Sequence, residues 1–409
     1  MAMCNLRFMR TSPKIDIQLN QNLPSDVDYY TTGNVVEGTV FITVPHGLPL
    51  GAVQIHLQGI SKIKFHRALQ HGRANTQHTF LSLRHPQDET KIPMPASITE
   101  KSHSYRIPFS FVLPNKLPPR SCNHFTKSKH IENSHRNLPA TLGDRGCQAQ
   151  IDEFLTDKAC VSYRIRVRIS NPLVSNSVLS KTKCIRVIPH SLEEPPIETM
   201  GNKLYLTHIR KALSDGPFCS KSGWLSVEAL QPRSIRLPNP ETTMHENLGT
   251  TATINLEFVG MQSPPKLRTI SSTLKVLTIY GATPWENHPS VMYSPSLGNG
   301  NRQICRDDLP LSKACIKTVK WEKQKTLSRD DERPRDGFHE GDALLQPSKW
   351  KYSIVAPITL PDTHSLVPTF HSCFVSRVYL VEIRLSYSQI GALHVPSYVT
   401  LKLPLQITK

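Results

Sequence analysis

Acidic residues are missing from this sequence in long, patterned intervals. No Asp or Glu lies between Glu37 and Asp88, between Glu100 and Glu132, or between Asp157 and Glu193. Each interval carries several Lys or Arg, so the first half is the basic half of a 409-residue chain whose formal charge is +17. Such a surplus predicts an acidic partner: anionic lipid, an acidic or phosphorylated protein segment, or nucleic acid. The last is the least favoured. Aromatics make up only 7% of the chain, and the basic segments lack the exposed aromatic pairs on which single-strand binders stack bases.

Other absences exclude whole classes. The nine cysteines are odd in number and contain no C-x-x-C pair, which argues against a disulfide framework and against a zinc ribbon. No run approaches the ~18 apolar residues of a membrane span. The opening "MAMCNLRFMR" has no apolar core for a secretory signal. Cys4 lacks a myristoylation context and the last residues are not C-a-a-X. The expectation is a soluble, reduced, cytosolic protein. There is no G-x-x-x-x-G-K-[ST], no G-x-G-x-x-G after a strand, no H-E-x-x-H and no G-x-S-x-G. No catalytic residue and no cofactor is assigned. The reading is not an enzyme.

Proline outnumbers glycine, 33 to 19, and proline suits turns and edge strands better than helices. Strand-like segments dominate: 14–19, 34–44, 52–65, 104–114, 160–170 and 184–189, then 223–230, 251–260, 273–281, 314–321, 351–361, 377–388 and 398–407. They alternate or run β-branched, with Pro or Gly at their edges. Only 202–213, "NKLYLTHIRKAL", has helical spacing. The apolar fraction, 38%, is below the usual figure of about 45–50%, so long polar loops are expected at 67–103, 120–150 and 322–348. The last is charge-dense and expected to be mobile. The length exceeds one ordinary core. The acidic, Pro-bearing "SLEEPPIETMGN" (191–202) divides two runs of strands, giving domains 1–192 and 193–409. Many short strands between turn signals predict an all-β protein of two tandem antiparallel β-sandwiches.

Two groups of residues are candidates for function. In "VSYRIRVRIS" (161–170) the odd positions are apolar, while Arg164, Arg166 and Arg168 share the other side of an extended chain. Lys62, Lys64 and Arg67 in "SKIKFHR" are expected to join them. This is either a wetted sheet face, whose arginine stems cover backbone, or a surface that holds phosphate or carboxylate in guanidinium forks. The second group is Cys122, His124, His130 and His135 in "SCNHFTKSKHIENSH" (121–135). The residue types suit zinc, but the spacing matches no closed site. The segment is therefore read as a solvated, His-rich loop, and no metal is assigned.

Taken in order, several segments resemble one family. "YTTGNVVEGTV" (30–40), "VQIHLQG" (53–59), "IPFSFVLPNKLPPRS" (107–121), "HRNLPATLGD" (135–144) and "VSYRIRVRIS" are similar to the amino-domain strands of arrestins. "PPKLRTISSTLKVLTIYGATP" (264–284) and "PTFHSCFVSRVYLVEIRLS" (368–386) resemble the carboxyl domain of fungal arrestin-like proteins. The resemblance implies two immunoglobulin-like sandwiches without catalytic residues. It also implies a cytoplasmic adaptor recruited to the plasma membrane or endosomes. There, fungal α-arrestins link the cytoplasmic segments of membrane proteins to a HECT-type ubiquitin ligase for endocytosis. The chain departs from that pattern in having no Pro-Pro-x-Tyr; its Pro-Pro pairs at 118–119, 195–196 and 264–265 continue otherwise. Direct ligase docking by that motif is not expected. The alternative is a basic protein that binds nucleic acid or anionic lipid surfaces. Within the sequence itself, Gly33 is expected at positive φ in a turn and Gly38 at a bulge.

Overall fold

The computed structural model describes residues 13–20, 28–46, 50–66, 73–86, 95–99, 102–143, 158–170, 178–195, 202, 204–214, 221–238, 249–288, 302–324, 347–361, 365–388 and 397–409. The first half holds β1 (Lys14–Leu19), β2 (Val35–Pro45), β3 (Val53–His66), β4 (Arg73–Arg84), β5 (Ser97–Ile98), β6 (Ser102–Val112), α1 (Lys129–His135), β7 (Ala159–Ser170) and β8 (Val178–Ile185). The second half holds β9 (His208–Ser214), β10 (Lys221–Ala229), β11 (Ile235–Arg236), β12 (Gly249–Gly260), β13 (Lys266–Gly281), β14 (Arg302–Cys315), β15 (Glu322–Gln324), β16 (Ser348–Thr359), β17 (Phe370–His371), β18 (Val375–Ser388), β19 (Ser397–Leu405) and β20 (Ile407–Thr408).

Alternation becomes layering. In β12 the residues Ala252, Ile254, Leu256 and Phe258 are buried while those between them face outward, because successive side chains of a strand point to opposite faces. The first half forms two sheets, ordered β1-β2-β6-β5 and β4-β3-β7-β8. Val40, Ile42 and Phe109 of one meet Leu57, Ile165 and Val167 of the other in a shared core. The second half repeats the plan with β15-β16-β12-β10-β9 against β14-β13-β18-β17, where β19 also pairs with β18. Its core joins Leu256 and Phe258 to Leu274, Val381 and Leu401. The architecture is all-β, two tandem antiparallel sandwiches, consistent with the arrestin-like fold that the resemblance implies.

The halves are packed together. Tyr280, Val367, Phe370 and Val375 of the second half belong to the core of the first. The Lys127 N–H donates to the Glu286 carbonyl at 2.9 Å, and Arg186 reaches across to the Ser365 hydroxyl. Ser191–Pro195 is irregular chain that ties itself to both halves: the Glu194 carboxylate accepts from Asn137, and its N–H donates to the Gln406 side chain.

Several expectations need correction. The helix expected within 202–213 is instead β9, paired antiparallel to β10. Its helical spacing is accidental, since Leu204 and Tyr205 join a cluster around Trp285 while Leu213 joins the second core. The expected loop 67–103 contains β4 and β5. The strand at 184–189 lies earlier, as β8, and the strand at 314–321 is the tail of the longer β14, with 316–321 irregular. The segment 120–150 is not simply loop: a 3-10 turn at Pro119–Ser121 leads into α1, whose Ser128 side chain caps it by accepting from the Ile131 N–H. The expected 322–348 loop is strand at both ends, and 325–346 lies outside the described residues. Gly33 has φ of 84°, as its turn requires. Gly38 sits in an unbroken ladder with β1 and β6 instead of a bulge. It is glycine because a Cβ there would run into the Gln18 carbonyl and the Phe109 ring.

Candidate functional site

The arginine face of β7 is real as a geometric object. Val161, Tyr163, Ile165 and Val167 are fully buried, while Arg164, Arg166 and Arg168 are half-buried on the opposite side. Register sets their neighbours: Arg164, Arg166 and Arg168 lie opposite Gln58, His56 and Gln54 of β3, and opposite Cys184, Thr182 and Ser180 of β8. Arg84 of β4 extends the row beyond His56. Arg164 donates to the Gln58 carboxamide and Arg166 to the Ser180 hydroxyl. None of the four strands β4, β3, β7 and β8 contains an Asp or Glu. The face therefore carries positive charge with no carboxylate of its own sheet to neutralise it. Alternate residues repeat at about 7 Å, which makes the three guanidiniums a stripe about 14 Å long.

The lysines stand apart from this stripe. Lys62 lies opposite Cys160 and Lys64 beyond it, on the same face and exposed. Between them and Arg164 stand Ile60 and Ser162, both buried. One face thus holds two basic patches. Arg67 lies outside the described residues.

The cysteine–histidine segment, expected as a solvated loop, has Cys122 and His135 buried. It is folded against the second half. Ile131, Ser134 and His135 form the buried stripe of α1. The Ser372–Val375 turn, closed by hydrogen bonds between Ser372 and Val375, carries Cys373 between β17 and β18. These pieces bring Cys122, His124, His135 and Cys373 together, with one ligand atom from each within 4.8 Å of all the others. Cys122 Sγ is 3.3 Å from His124 Nε2 and 3.6 Å from His135 Nδ1. His124 Nδ1 lies 3.0 Å from the Phe125 carbonyl; donating its proton there leaves Nε2 with a free lone pair. His130 is outside the set, its ring tilted against that of His288 at 5.3 Å between centroids, and His288 in turn lies 4.8 Å from His371.

Burial is the main influence on these groups. It lowers His135 to about 4, aided by the nearby His124 and His288. It lowers His288 to about 4, aided by His130, and it pushes both the Cys122 and Cys373 thiols up. At neutral pH the imidazoles of His135 and His288 are therefore uncharged and able to donate lone pairs. A cavity of about 560 Å³ is lined by residues of both halves, including Leu138, Glu194, His371 and Gln406.

Two antiparallel sandwiches with a packed junction are consistent with the arrestin-like fold that the sequence resemblance implies. Residues 346–408, which span β16 to β20, match the family described as Bul1 C terminus, an arrestin-related family. The match supports an arrestin-like protein. No curated protein matches the chain at a significant level.

Proposed function

We propose that this protein is a non-catalytic adaptor that holds acidic cytoplasmic segments of membrane proteins on the arginine face of its first sandwich and recruits them toward ubiquitin-dependent endocytosis. The observation that carries the reading is the stripe of Arg164, Arg166 and Arg168 on a sheet without acidic residues. An extended peptide repeats its alternate side chains at the same ~7 Å as the stripe. Aspartate, glutamate or phosphoserine at every second position would meet one guanidinium each, and planar forks favour such oxygen pairs. The arrestin-related match supports ligase-linked traffic as the setting. The absence of Pro-Pro-x-Tyr favours an indirect or differently encoded link to a HECT-type ligase. Work of this kind belongs at the cytoplasmic side of the plasma membrane or endosomes.

The test is crosslinked purification of the tagged chain and of an Arg164/Arg166/Arg168→Ala variant from cells, with identification of bound proteins. Membrane proteins and ubiquitin-system components recovered with the first and lost with the variant are expected. Recovery of nucleic acid or anionic lipid vesicles alone would replace the adaptor with a general polyanion binder. Cargo unchanged by the variant would make the arginines a wetted sheet face.

A further inference from the structure

We infer that Cys122, His124, His135 and Cys373 form a closed zinc site that staples the two sandwiches together. The donor set is two thiols and two imidazoles, the mixed sulfur and nitrogen set that selects zinc in a tetrahedral arrangement. The geometry fits. With Zn–S near 2.3 Å and Zn–N near 2.0–2.1 Å, the edges of a tetrahedron are about 3.3–3.8 Å. The 3.3 and 3.6 Å separations of Cys122 from His124 and His135 fall there, and the whole set lies within 4.8 Å. Cys122, His135 and Cys373 are buried and His124 half-buried. Two thiolates balance a divalent cation, so such a site adds no net charge to the interior. Four protein ligands leave no open position, which makes the site structural and not catalytic.

Its placement gives it a purpose. Cys122, His124 and His135 come from the segment between β6 and β7 of the first sandwich, and Cys373 from the β17–β18 turn of the second. A metal there closes a very long loop, the case in which a crosslink restrains the unfolded chain most. The same junction is already drawn together by the Lys127–Glu286 backbone bond, and within the second half the Trp285 backbone N–H holds the Cys373 carbonyl in place. The metal would fix the angle between the sandwiches, whatever the arginine face binds.

The experiment uses the full chain, purified without a polyhistidine tag under reducing conditions, with metal measured by plasma mass spectrometry. About one zinc per chain, retained through gel filtration, is expected, as a closed four-ligand site would hold it. Cys373→Ser and His135→Ala should each lose most of it, whereas His130→Ala and Cys315→Ser should keep it. In case the ligand variants fold poorly, the unaltered chain is also stripped with a strong chelator. Its thermal midpoint should fall, and it should recover with added zinc. Cobalt in place of zinc should give the visible absorption of a tetrahedral site with thiolate ligands. A folded, metal-free chain, a metal lost to gel filtration with no change in midpoint, or a Cys122–Cys373 disulfide in freshly alkylated lysate would each overturn the inference.

Discussion

Tyr163, at the centre of β7, donates a 2.7 Å hydrogen bond to the carbonyl of Pro139, and both residues are buried. The strand that presents the arginines outward is thus pinned on its inner side to the segment that follows α1. Phe80 packs edge-on against the same ring at 5.5 Å. Replacing Tyr163 by Phe keeps the ring and its packing but strands the carbonyl. A buried acceptor without its donor costs about 1–3 kcal/mol. Chemical denaturation of the Tyr163→Phe variant should show that loss, and a stability equal to the parent would mean the carbonyl finds another donor.

Gly33 and Gly38 separate two reasons for glycine. Gly33 has φ of 84° and open space within 4 Å of where a Cβ would stand, so only backbone strain opposes a side chain there. Asn tolerates that region better than Ala or Val, so Gly33→Asn should be milder than Gly33→Val. Gly38 has an ordinary backbone but no room. Gly38→Ala must move either the β1 carbonyl at Gln18 or the Phe109 ring, and overpacking of that kind costs about 1–3 kcal/mol. Melting curves of the three variants should rank Gly33→Asn above Gly33→Val and show a drop for Gly38→Ala that no choice of backbone preference explains.

Strands with a clean period were legible in the sequence, and strands without one were not. β7 and β12 read directly because apolar and polar residues alternate along most of their length. β4, "RANTQHTFLSLR", escaped because its inward-leaning Thr76 and His78 are polar, so that among its described side chains only Phe80 and Leu81 are buried. The arginine face followed from period alone. Its division from Lys62 and Lys64 did not, since nothing local marks Ile60 and Ser162 as covered. The cysteine–histidine set was half legible. Cys122, His124 and His135 were in view, but the fourth partner lies in the other half of the chain, and sequence proximity put His130 in its place. Contacts between distant segments are set by topology, and a local window cannot supply them.

Trp285 should be a sensitive position of the second half, next in the chain to the Glu286 carbonyl that meets the first. Its side chain is 1% exposed and packs with Leu204, Tyr205, Leu277, Ile279, Val378 and Leu380, with the Arg302 guanidinium 4.8 Å over its ring. Trp→Ala changes in cores cost about 3–5 kcal/mol. Because the Trp285 backbone N–H also holds the Cys373 carbonyl at 3.0 Å, the loss should spread to the β17–β18 turn. Hydrogen exchange of Trp285→Ala should quicken at residues 204–206 and at 373–378 while the amides of β2 and β6 keep their protection. Uniform quickening across both halves would instead mean that the junction and the first core unfold as one unit.

The arginine stripe makes a prediction that distinguishes charge from shape. Consider an extended peptide with acidic or phosphorylated residues at positions i, i+2 and i+4, and a control with the same residues at i, i+1 and i+2. In a strand only the first places all three on one side. The parent chain should bind the first more tightly, with an affinity that falls as salt rises, because the paired charges are only half-buried and are screened. Changing Arg164, Arg166 and Arg168 together to Lys keeps the charge and removes the forks, so the salt dependence should survive while the preference between peptides weakens. Changing all three to Gln should abolish both. Equal affinity for the two peptides in the parent chain would make the stripe a source of general positive field, with no register to read.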